Sequence, residues 1–175
     1  MQKNQFDGGS VFFSWLDTKT DFQHIIIVLG NHDGNYERIN AKVRRRNTVH
    51  LLFDEELIID GVKFYGTPWT KQFFDWHWGK SEDELVEVFA KIPDDVNVLI
   101  SHSPPFGMMD YVDGRHEGSV ALKDRIAELK ELKLHVFGHL HDNGGVVDNG
   151  EYLSVNASLL DENYYMAKKP VEAEI

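Results

Sequence analysis

The chain has 175 residues, 42% of them hydrophobic and 12% aromatic, enough to bury the core of one globular domain. Its formal net charge of −11 argues against a broad surface for nucleic-acid backbones, which basic patches recognise. Zero cysteines exclude disulfides, thiol catalysis and Cys-ligated metals, and no apolar run reaches the roughly 18 to 20 residues that span a bilayer.

The start, Met1-Gln2-Lys3-Asn4, has no signal-peptide core, so a cytoplasmic location without membrane contact is expected. A helix is predicted near 10–18. Ile25-Ile26-Ile27-Val28-Leu29 is apolar and β-branched without alternation, which predicts a strand near 24–29 covered on both faces. That strand runs into Gly30-Asn31-His32-Asp33. A helix near 36–45 carries Lys42-Val43-Arg44-Arg45-Arg46, the one cationic run in an acidic chain, whose ordinary use is a solvated helix face. Strands follow near 49–53, 56–60 and 62–66, with Asp60-Gly61 as a tight hairpin turn, because that pair tolerates positive φ. Asp54, Glu55 and Glu56 lack paired histidines and read as solvated carboxylates. The aromatic segment from Trp69 to Trp78 suits burial against a sheet or stacking on a substrate.

A helix near 81–91 opens with Ser81-Glu82-Asp83-Glu84, the pattern of a capping box. The apolar run 96–100 predicts a strand near 97–101 that leads into Ser101-His102-Ser103-Pro104-Pro105. A loop with His116 precedes a helix near 119–131. The strand near 134–137 runs into Gly138-His139-Leu140-His141, and two histidines two apart share one side of an extended segment. Strands near 145–148 and 152–156 flank a second turn at Asn149-Gly150, Asn156 reads as a tether for a nearby loop, and a last strand is expected near 171–175.

Three strands thus end in polar motifs, and in open α/β sheets the loops beyond strand carboxyl ends line one crevice. There is no Gly-x-Ser-x-Gly elbow, P-loop or dinucleotide fingerprint. Ser101 and Ser103 flank His102 but point away from it on an extended chain, and His24, His50 and His135 read as structural or surface histidines.

The Asn-His pair after Gly30, His102 before Ser103-Pro104-Pro105, and the Gly-His-x-His run at Gly138 resemble the later motifs of the calcineurin-like metallophosphoesterase superfamily. Gly61-Val62-Lys63-Phe64-Tyr65-Gly66-Thr67-Pro68-Trp69, Pro104-Pro105-Phe106-Gly107 and Val155-Asn156-Ala157-Ser158 resemble its small class III metallophosphodiesterase branch. The resemblance covers about residues 10–160 and implies an α/β fold, a two-sheet β-sandwich flanked by helices, as one domain over 1–175. It implies a hydrolase with two divalent ions, one held by Asn31, His102 and His139 and the other by His141 with earlier ligands. Imidazole and oxygen donors without thiolate suit Mn, Fe, Zn or Ni. It also implies that a metal-bound hydroxide cleaves a small phosphodiester or cyclic-nucleotide-like substrate. His32 would bond the phosphate or protonate the leaving oxygen, with Asp33 orienting its ring, and His116 and Trp69 are expected to contact substrate.

Family members carry Asp-x-His and Gly-Asp-x-x-Asp elements before the Asn-His motif, and here Asn31 arrives too early for both. With Asp7-Gly8-Gly9 set on the trailing Asp-x-Gly of the second element, Asn4 falls where the bridging aspartate belongs and Lys3 where its glycine belongs. The chain therefore resembles a member without its first βα unit, as a fragment, a late start or a degenerate paralogue would be. Beside hydrolysis stands a second expectation: a catalytically deficient metal- or nucleotide-binding regulatory domain holding one ion or none. A third is a half-site completed by another chain, for example in a homo-oligomer paired through an exposed sheet edge.

Overall fold

The computed structural model describes residues 8–175. The comparison of Lys3, Asn4 and Asp7 with the bridging element lies outside the described residues. The chain divides into two compact units, one holding Asn35–Leu51 and the described residues before position 28, the other Val28–Gly34 and Leu52–Ile175.

The first unit comprises α1 (Gly8–Leu16), α2 (Tyr36–Val43) and all but the last residue of β1 (Ile25–Val28) and of β2 (Val49–Leu52), which pair as a two-stranded sheet. Asn35 caps α2 by accepting the Arg38 N–H at 3.2 Å. The cationic run is not uniformly solvated. Arg46 donates to both Asp17 carboxylate oxygens at 2.7 and 2.8 Å and lies 4.9 Å over the Phe13 ring.

The second unit contains β3 (Glu55–Ile59), β4 (Val62–Thr67), β5 (Thr70–Lys71), β6 (Gly79–Lys80), α3 (Glu82–Phe89), β7 (Val98–Ser101), β8 (Tyr111–Val112) and β9 (Arg115–His116). After these come α4 (Val120–Glu128), β10 (Leu134–Phe137), a 3-10 turn (His141–Asn143), β11 (Gly145–Asp148) and β12 (Leu153–Asn156). Six strands form one sheet in the order β11-β12-β10-β7-β4-β3. The inner four run parallel and the two outer ones antiparallel. Thr67 pairs with Ser101, Ile100 with Val136, and Phe137 with Asn156, so four carboxyl ends lie along one edge.

Apolar residues recur at Leu85, Val88 and Phe89 of α3 and at Ile92 just beyond it, a stripe that packs with Leu122, Ile126 and Leu129 of the α4 region and with Leu99 and Tyr65 of the sheet. Ser81 and Glu84 make the expected capping box. Glu82 carries the cap further: its carboxylate accepts from Ser119 Oγ and from the Val120 and Ala121 N–H groups, so α3 satisfies the open amino end of α4. Among the described residues no helix is long and apolar enough to cross a membrane.

Some local expectations change. Residues 171–175 form no strand, and the β5–β6 and β8–β9 ribbons were not anticipated. Asp60 and Gly61 both take positive φ, 51° and 84°, as a two-residue hairpin turn requires. At the second hairpin only Gly150 does so, because the Asp148 carboxylate accepts the Gly150 N–H at 2.8 Å and opens a longer loop before β12. The segment at His139 is not extended either. His139 has φ +70°, and Leu140 N–H turns back to the Gly138 carbonyl at 2.8 Å before the 3-10 turn begins.

Candidate functional site

His102 is the most firmly placed of the candidate ligands. Its backbone N–H donates to the Thr67 carbonyl at 3.1 Å and its carbonyl accepts the Gly138 N–H at 3.0 Å, so the ends of the two neighbouring strands hold this residue from both sides. Gly30 lets the ring stand close: a Cβ there would lie 2.6 Å from His102 Cε1. His102 Nε2 then meets Asn31 Oδ1 at 2.6 Å, and His139 Nδ1 reaches the same oxygen at 3.1 Å. The two imidazole rings stand 4.7 Å apart between centroids.

Burial keeps both imidazoles neutral. Desolvation, followed by neighbouring histidines His139, His32 and His141, pushes His102 down to about 3. Desolvation with His141 and His32 lowers His139 to about 4, against a smaller opposing pull from Glu117. An amide oxygen only accepts, so His102 Nε2 and His139 Nδ1 carry the ring protons here, and each neutral ring offers that nitrogen to a metal once its proton moves to the other ring nitrogen; Asn31 is 3% exposed with its Nδ2 buried and unpartnered. Two nitrogens and an amide oxygen on one spot fit a borderline divalent ion. Their carboxylate share is nil, and among the described residues no group of three or more His, Cys, Asp or Glu is arranged to hold a metal.

The remaining candidates divide. A cleft of about 270 Å³ is lined by Asn31, His32, His102, His139 and His141, so the structure brings these five together, with Trp76, Glu162 and Tyr164 on the same walls. His141 Nδ1 lies 2.9 Å from the Asp161 carbonyl; a carbonyl only accepts, so Nδ1 carries the proton and Nε2 the lone pair. A second cavity of about 360 Å³ shares His102, His139 and His141 and has apolar walls that include Val28, Ile100, Val136 and Leu160.

Asp33 has a different partner from the one the sequence suggested. Its carboxylate accepts the Gly30 N–H at 2.8 Å and closes the motif's own turn, while the His32 ring lies 5.0 Å from Trp76. Trp69 is drawn away from the cleft: its indole N–H donates to Asp54 at 2.7 Å and its ring packs on the core and under Lys80. Trp76, seven residues on, is the tryptophan that lines the cleft. His116 sits on the β8–β9 hairpin, bonded through Nδ1 to buried Asp110 at 2.7 Å and flanked by Phe106 and Tyr111. The same hairpin places Val112 in the cleft wall.

Asn156 is the tether its position suggested: Nδ2 donates to the Leu140 carbonyl at 2.9 Å, between the two histidines, and Oδ1 accepts the Ser158 N–H. Tyr164 and Asp161 escaped the sequence reading. The only hint was Asp161 followed by Asn163, a turn-forming spacing after the Asn-Ala-Ser motif.

Residues 5–143 match the family model described as calcineurin-like phosphoesterase. The chain is 32% identical over 160 residues to the human protein named Metallophosphoesterase domain-containing protein 1, covering 90% of this chain and 48% of that protein, and the mouse protein of that name matches equally. A UPF0046 protein of Caenorhabditis elegans is 30% identical over 146 residues, 82% of this chain and 37% of that one. The chain thus spans about half the length of the curated relatives it matches first. A solved crystal structure shares the fold with a TM-score of 0.66 at 18% identity, covering 85% of this chain and 62% of that one.

Proposed function

Because the chain belongs to the calcineurin-like phosphoesterase family, we propose that it hydrolyses a small phosphodiester with the help of divalent metal held at Asn31, His102 and His139. The observation that carries this reading is the convergence of His102 and His139 ring nitrogens on Asn31 Oδ1 in the wall of one cleft. His141 would present Nε2 to a second ion. Bound ions of this kind supply a water activated near neutral pH and positive charge against phosphate oxygens.

The chain's own residues do the rest. His32, on the cleft wall, holds a proton for the leaving oxygen, and Trp76 and Tyr164 bound the space a substrate occupies. Asp33 acts at one remove by fixing the Gly30 turn that carries Asn31 and His32. His116, steadied by Asp110, is the further substrate contact in this reading.

The test is turnover of an aryl phosphodiester by protein equilibrated with Mn²⁺ and freed of loosely bound ions. Hydrolysis is expected to need Mn²⁺ and to vanish in His102→Ala and His139→Ala; undiminished turnover in either variant would sink the assignment. That no carboxylate among the described residues joins the donor set favours a second reading, a metal- or nucleotide-binding regulatory domain. Metal content separates the two. About two ions per chain supports the hydrolase, with missing ligands supplied by another segment or chain, and one or fewer supports the regulator. Self-association is proposed through edge strand β11, where Val146 and Val147 are exposed.

A further inference from the structure

We propose that Tyr164 is a positioning residue for His141, holding its imidazole in the Nδ1–H tautomer with Nε2 facing the cleft; the use of that Nε2 as a metal donor rests on the function proposed above. Three contacts grip His141, all from the segment 159–168. The Asp161 carbonyl takes the ring N–H at 2.9 Å. The Tyr164 ring stands perpendicular to the imidazole, at 88° with centroids 5.2 Å apart. Lys168 Nζ donates to the His141 backbone carbonyl.

Tyr164 occupies this place at a conformational cost. Its φ is +64°, in the left-handed region that bulky side chains avoid, and such residues persist where surrounding bonds over-determine them. Here those bonds centre on Asp161. Its carboxylate accepts the N–H groups of Asn163 and Tyr165, both at 2.9 Å, its carbonyl accepts the Tyr164 N–H at 3.0 Å, and its own N–H donates to the Tyr165 carbonyl. The segment is closed again where Ala167 and Lys168 donate to the Leu159 carbonyl.

The ring so presented is not core. Tyr164 is 62% exposed and lines the cleft with His141, so the strained backbone is not explained by apolar burial. Its neighbour Tyr165, 71% exposed, shares the turn without lining the cleft. What the left-handed residue achieves is the perpendicular ring contact. The contact blocks the imidazole from turning about its Cβ–Cγ bond, and only the unturned ring keeps the Asp161 bond that sets its tautomer.

The experiment reads imidazole nitrogens by long-range ¹H–¹⁵N correlation in metal-free, ¹⁵N-histidine-labelled full chain above pH 7.5, roughly one unit above the ordinary histidine value. The His141 signals are identified by their loss in His141→Gln. The parent, Tyr164→Phe and Tyr165→Ala are expected to show His141 in the Nδ1–H tautomer. Tyr164→Gly is expected to show a tautomer mixture while its urea midpoint stays at or above the parent's, because glycine adopts the positive φ without strain. Mn²⁺ titration should show roughly tenfold weaker binding in Tyr164→Gly and parental binding in Tyr164→Phe. An unchanged His141 tautomer in Tyr164→Gly overturns the proposal, as does a parent that never shows Nδ1–H. Failure of the parent to bind Mn²⁺ or turn over substrate counts against the functional reading alone, since the tautomer is read without metal.

Discussion

A methyl group at position 30 would stand 2.6 Å from His102 Cε1 and 2.9 Å from its Nδ1, closer than real side chains come. The His102 backbone cannot retreat, because its N–H and carbonyl are both bonded to neighbouring strand ends. The ring must therefore swing off Asn31 Oδ1. Gly30→Ala is expected to keep the fold at a cost of about 1–3 kcal/mol and to weaken Mn²⁺ binding at least about tenfold. Titration with Mn²⁺ checks this, and parental affinity would show that the ring has room to spare. Asn156 acts on the other histidine motif. Truncation to Ala strips the Leu140 carbonyl and the Ser158 N–H of a buried partner, about 1–3 kcal/mol by urea denaturation, and frees the turn between His139 and His141.

The β3–β4 hairpin gives the contrasting case, a glycine chosen for backbone freedom alone. A Cβ on Gly61 meets nothing within 4 Å, yet its φ is +84°. Gly61→Ala is therefore expected to cost about 1 kcal/mol in urea unfolding while leaving Mn²⁺ affinity at the parental value. This turn was legible in the sequence, as were the Ser81 capping box and the inner strands, because each is set by residues within a few positions. What escaped depends on distant partners. The bend at His139 is held by Asn156 on the Leu140 carbonyl and by Gly138 bonded to His102, contacts that span 16 and more residues. Trp69 and Trp76 belong to one aromatic run, and Asp54, 15 residues before Trp69, decides which of them leaves the cleft. The donor motifs themselves were legible, since each follows its strand directly; the strap that grips His141 was not, since it returns from 20 residues downstream.

Across the whole molecule, acid should act on three buried histidines, His102, His135 and His139, and His135 is the one that lies outside the cleft. His135 lies in β10, between β7 and β12, with no exposed surface. Ser101 Oγ gives its one proton to the Ser103 carbonyl at 2.8 Å, so it must accept from His135 Nε2, leaving Nδ1 as a buried lone pair without a partner. Burial alone pushes this imidazole from its ordinary 6.5 down to about 3. The sign follows from proton counting. Between those two values the unfolded chain carries a proton on His135 that the native chain refuses, so stability is complete above about 6.5 and falls as pH drops through the window toward 3. Between roughly pH 7 and pH 5 the loss from this group is about 2 kcal/mol. His135→Phe keeps an apolar ring of similar shape and removes the proton site. Its urea stability is therefore expected to decline less than the parent's by that amount over the same interval, whatever the offset between the two proteins above pH 7. Parallel curves would mean that the native sheet opens far enough to let His135 protonate.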